Sequence, residues 1–115
     1  MEQQVVEFLE TYVEYLGKLQ AASMTISEKL RADEASEALT IIRDFSEGLS
    51  WVAEGNTSLK NHAVDVPFDI EALEAFLSEI NDGLTIRDYV LVADLFEYEL
   101  EPFIEQYVTD VKKFM

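Results

Sequence analysis

Asp94, Glu97, Glu101 and Glu105 stand at steps of three and four, so on a helix they share one side. Carboxylates in that register have the chemistry to hold a hard cation such as calcium or magnesium, or to meet a basic partner. The plainer alternative is a solvated acidic face beside a core stripe, because like charges at this spacing cost little when exposed. No EF-hand loop accompanies them. His62 is the only histidine, and without cysteine, a second histidine or a Glu-x-x-His motif a transition-metal site lacks its ligands. It reads as a surface histidine near a helix terminus. A glycine-rich phosphate loop, a nucleophile elbow and a histidine-centred triad are all missing, and among twenty-four acids some pairing of carboxylates is inevitable. Neither a catalytic residue nor a cofactor is therefore expected, and the chain reads as non-enzymatic.

A second set of candidates is apolar or aromatic. Trp51 falls about one position off the stripe Ile42, Phe45, Leu49, Val52, which puts it at the margin of a core where it either completes packing or anchors a partner. Ile41 and Leu91 lie at the edges of their helices' faces, and a surface cluster of these two with Trp51 would mark an interface. Tyr98, beside Pro102 on a helix, either lines a groove with its hydroxyl free or packs half-buried.

These residues need elements to position them, and the periodicity supplies four helices. Val5, Leu9, Tyr12, Leu16, Leu19, Ile26 and Leu30 form a heptad-like seam in which Ser23 takes the one polar slot. Asp33 offers an N-cap for a second long helix carrying Ala35, Ala38, Ile42, Phe45, Leu49, Val52 and Leu59, with Asn56 in phase. Glycine-asparagine at Gly55-Asn56 suits a helix end, so the spacing leaves the stop open between Gly55 and His62. After an aperiodic link ending in Val66-Pro67, Asp69 caps a short third helix that Asn81-Asp82-Gly83 terminates. Thr85 and Asp88 resemble a capping box for the last helix, whose stripe Ile86, Tyr89, Ala93, Phe96, Leu100, Phe103, Tyr107, Val111 and Phe114 is the longest in one phase. Pro102 cannot donate to the Tyr98 carbonyl, so a kink is expected there. The economical packing is all-α: one domain over residues 1–115, an antiparallel four-helix bundle of up-down-up-down topology with a short third member and a proline-kinked last helix.

The formal charge of −16 over 115 residues bounds the partners. A surface of that sign repels phosphate backbones and anionic lipid, so nucleic acid and membranes are disfavoured and a basic or helical protein is favoured. The chain has no basic leader and no apolar run of bilayer length, which makes a cytoplasmic protein the expectation. In size, acidity and helical make-up it looks like the small helical chaperones and adaptors of bacterial protein-export systems, a resemblance of general make-up that rests on no motif. The function expected is an acidic helical interaction module, or adaptor, with self-association into a homodimer as one way to cover its wide apolar faces. An export-type chaperone for one client and a carboxylate cation-binding bundle are the alternatives. Imitation of nucleic-acid charge ranks below them.

Overall fold

The computed structural model describes residues 2–115 and contains only helices and their connections. Helix α1 spans Gln3–Arg31, α2 Ala35–Asn61, α3 Ile70–Thr85, α4 Tyr89–Leu95 and α5 Glu101–Lys112. Phe96–Leu100 is a π-helical segment, and right-handed helical dihedrals at Leu95, Leu100 and Glu101 make α4, this segment and α5 one continuous last helix. The fold is an all-α helical bundle, drawn out to 47 × 23 × 19 Å.

Helix α1 is the shared element. Its seam is buried at every position from Val5 to Leu30, including Ser23, whose hydroxyl donates to the Gln20 carbonyl at 2.7 Å and so carries no unsatisfied polar group into the core. On one side α1 meets α2, where Lys29 lies against Glu37 and Tyr12 against Val52. On the other it meets the last helix, where Arg31 faces Asp94 and Tyr12 faces Tyr107. Residue numbers run oppositely across both pairs, so both partners are antiparallel to α1. Helix α3 folds back on the last helix with Phe76 against Phe103 and Gly83 against Val92.

The helix ends depart from the spacing argument in one consistent way. Each of the three links between helices carries, just past the helix end, a non-glycine residue in the left-handed region, Asp33 (φ 62°), Ala63 (φ 62°) and Arg87 (φ 57°). Each is followed by an amide that reaches back five residues: Glu34 N–H to Lys29 O at 2.9 Å, Val64 N–H to Leu59 O at 2.9 Å, and Asp88 N–H to Gly83 O at 2.8 Å. This is the Schellman closure, usually made with glycine. Asp33 is thus a C-terminal turn residue, not the N-cap, and Glu34 precedes α2 without a side-chain cap.

The glycines are spent elsewhere. Gly55 does not end α2, which continues to Asn61, because a side chain there would collide with the buried Tyr12 ring 2.6 Å from its Cβ. Gly83 does not end α3 either; it lets α3 approach Val92, and Thr85 belongs to α3 with its hydroxyl on the Asn81 carbonyl. Helix α4 is capped by Asp88 alone, whose Oδ1 accepts from Leu91 N–H at 3.1 Å, as Asp69 Oδ1 accepts from Ala72 N–H at 3.0 Å at the start of α3.

The last helix changes phase at its π-turn. Glu101 N–H bonds to Phe96 O, one residue further back than in an α-helix, directly before Pro102. The extra residue rotates the stripe: Leu100, Ile104, Tyr107 and Val111 are buried, while Phe103 is turned outward to meet Phe68 and Phe76. At the other end Ile86 lies outside the helix and is 72% exposed.

Candidate functional site

The carboxylates do not stand as a free ridge. Arg31 of α1 binds Asp94 Oδ1 at 2.9 Å and approaches Glu97 Oε1 at 3.6 Å. The Ser27 hydroxyl donates to the same Glu97 oxygen at 3.3 Å, and Gln20 Nε2 donates to Glu101 at 2.8 Å. Three of the four acids therefore fasten the last helix to α1, and only Glu105 stays exposed with its carboxylate unengaged among the described residues. The Tyr98 hydroxyl, and after it the Arg31 charge, hold the Glu97 carboxyl below the usual carboxylate range; the same contact raises the Tyr98 phenol. Asp94 in turn raises the Arg31 guanidinium. No group of three or more histidine, cysteine, aspartate or glutamate side chains is placed to hold a metal ion among the described residues.

Trp51, Ile41 and Leu91 do not converge. Trp51 is 37% exposed and packs edge-on against Tyr15 at 4.9 Å, with Tyr12 and Phe8 beyond. Ile41 is partly buried against the core, and ten residues of helix separate it from Trp51 by ~15 Å. Leu91 sits one turn before Asp94, at the level of Arg31, whereas Trp51 sits at the level of Tyr12 and Tyr15. The sixteen residues of α1 between Tyr15 and Arg31 span ~24 Å, so no single surface holds all three.

What the structure does leave exposed is a different set of apolar side chains. At the α3–α4 corner Ile86 is 72%, Val90 69% and Leu91 39% exposed, and Tyr98, 62% exposed, follows Leu91 two turns along the same helix. Of the residues singled out from spacing, Leu91 and Tyr98 belong here. Ile86 falls on the stripe expected of a last helix that opens at Thr85, whereas Val90 lies beside that stripe, and both are exposed. The Asp88 cap, which delays the helix by one turn, is the signal that separates Ile86 from the helix.

Two shallow clefts lie elsewhere on the surface. One, of about 200 Å³, lies between the first turns of α1 and the end of α2, with Val5, Phe8 and Leu59 as floor and His62 at the rim. His62 caps the end of α2 with Nδ1 2.9 Å from the Ser58 carbonyl, which fixes the ring against its own helix. The other, of about 210 Å³, lies between Phe68 and α5.

A polar knot that spacing does not reveal lies inside the bundle. The Tyr12 hydroxyl donates to the Val52 carbonyl at 2.5 Å and lies 2.9 Å from the Tyr107 hydroxyl, and Asn56 Nδ2 donates to both Tyr107 Oη (2.8 Å) and Val66 O (3.0 Å). Burial above all pushes both phenols up, so they act as neutral donors and acceptors. Tyr12 is fully buried and Tyr107 nearly so. The knot holds α1, α2, the link and α5 together, a structural task that leaves no open position for a substrate.

The fold is an all-α bundle in which no buried side-chain nitrogen or oxygen among the described residues lacks a partner. The chain belongs to the family described as "Domain of unknown function (DUF8042)", whose match covers residues 7–109. No curated protein and no solved structure matches it. No helix among the described residues is long and apolar enough to cross a membrane.

Proposed function

We propose that this protein is a non-enzymatic interaction module that docks a basic protein partner on the α3–α4 corner. The observation that carries the reading is the exposure of Ile86 and Val90 at 72% and 69%, next to Leu91 and Tyr98, on a chain of net charge −16. Apolar side chains of that size gathered on a surface are usually covered by something, and the surrounding charge selects a partner of opposite sign. The cation-binding alternative is less favoured, because Asp94, Glu97 and Glu101 already have partners on α1.

Crosslinked capture from the source cell at low and high salt, with wild type and an Ile86→Ser/Val90→Ser variant, tests the reading. A discrete basic partner lost in the variant supports it. No partner, or one retained equally by the variant, overturns it. Light scattering on the same two proteins shows whether a second copy covers the corner instead, which would replace the adaptor reading with a homodimer.

A further inference from the structure

The cleft between Phe68 and α5 has the make-up of a receptor for one cationic side chain. Its walls are the rings of Phe68, Phe103 and Tyr107, with Phe68 set edge-to-face against Phe103 at 5.9 Å and against Tyr107 at 5.0 Å. Tyr107 contributes only its ring, because its hydroxyl is committed to Tyr12 and Asn56 in the interior. At about 210 Å³ the cleft is smaller than the 300–1,000 Å³ of sites for drug-sized ligands, and its scale suits a side chain better than a metabolite.

Asp69 and Asp110 line this cleft as well, and both have an oxygen to spare. Asp69 uses Oδ1 to cap α3, and Asp110 uses Oδ1 for Gln106 at 3.1 Å and for the exposed Lys113 at 3.4 Å. Neither Oδ2 has a protein partner among the described residues. Aromatic faces attract cations through the ring quadrupole, and a planar guanidinium can lie on a ring while its N–H groups reach carboxylates on either side. An ammonium offers no flat face for that double contact, and Lys113, its side chain 69% exposed, meets only Oδ1 of Asp110.

We propose that this cleft is a subsite for one arginine side chain of the partner, held by the aromatic walls and by Asp69 and Asp110. The partner is taken from the interaction-module reading, while the binding test needs no partner. Amide chemical shifts of the full chain would be followed by NMR during titration with N-acetyl-arginine amide and, as neutral isostere, N-acetyl-citrulline amide. Saturable shifts confined to Phe68, Phe103, Gln106 and Asp110 with arginine only are expected. An Asp69→Asn/Asp110→Asn variant, in which asparagine still caps α3, should bind roughly fivefold to tenfold more weakly.

Equal shifts with citrulline, unsaturable shifts spread over the acidic faces, or unchanged affinity in the double variant would overturn the subsite. The Ile86→Ser/Val90→Ser variant should titrate like wild type. If it does while capture from the cell fails, the docking corner falls and the arginine subsite stands; a flat arginine titration with capture intact gives the reverse.

Discussion

The interface between α1 and the last helix is held by opposite means at its two ends. Near Tyr12 it is closed by a buried polar knot and by aromatic rings, and no buried side-chain nitrogen or oxygen among the described residues is left without a partner. Near Arg31 it is closed by exposed charge, Arg31 against Asp94 and Glu97, with the arginine side chain 38% exposed. Buried hydrogen bonds are costly to break because a desolvated group is stranded, whereas exposed ion pairs trade protein contacts for water with little loss. The Tyr12 end is therefore the anchor, and the Arg31 end, beside the exposed corner, is free to vary.

The sharpest way to break that contrast is Tyr12→Phe. Removing the hydroxyl strips Val52 O and Tyr107 of a buried partner and should cost about 2 kcal/mol of stability in urea unfolding. Tyr107→Phe on top should add less than its single effect, since both act on one network. Additive losses would show that the knot is two separate bonds.

Gly55→Ala comes next and probes the same end. Its Cβ meets Tyr12 and Phe8, and Tyr12 cannot swing aside while its hydroxyl is tied to Val52 and Tyr107. Overpacking of ~1–3 kcal/mol should outweigh the ~1 kcal/mol that alanine gains as a helix former. Gly17→Ala, which meets nothing within 4 Å, should instead raise the midpoint. A rise in both would show that the Tyr12 ring is looser than its bonds imply.

At the charged end Arg31→Gln should move the melting temperature much less than Tyr12→Phe, and the difference from wild type should vanish in 1 M salt, where the Debye length is ~3 Å. A loss as large as that of Tyr12→Phe would erase the distinction between the ends.

The smallest effect is a pH dependence. Because the Glu97 carboxyl is lowered, first by Tyr98 and then by Arg31 against some desolvation, it contributes stability that is complete above its unfolded value and lost as pH falls through its folded one. Thermal melts of wild type and Glu97→Gln should differ at pH 7 and converge below about pH 4. Parallel curves would mean that the contact is absent in solution.

Much of the fold was legible because burial repeats with helical geometry. The α1 seam is buried position for position, and α2 follows its stripe from Ala38 to Leu59 with Asn56 in phase. The candidate site was less so. Acids at steps of three and four look alike whether they face solvent or a neighbouring helix, and only the placement of Gln20, Ser27 and Arg31 opposite them shows which. Helix ends misled for a related reason. Glycine is the cheapest left-handed residue, yet Gly48, Gly55 and Gly83 are needed where Tyr15, Tyr12 and Val92 press close, and Asp33, Ala63 and Arg87 take the turns instead.

By itself the sequence determined that this is an acidic, all-helical chain with amphipathic faces wide enough for a bundle, because periodicity and net charge are properties of the chain alone. Tertiary structure alone decided which carboxylates are spent, where the last helix changes phase at its π-turn, and which apolar residues stay outside. Those outcomes depend on what stands opposite each residue, and residues such as Tyr12 and Tyr107, far apart along the chain, meet only when the helices pack.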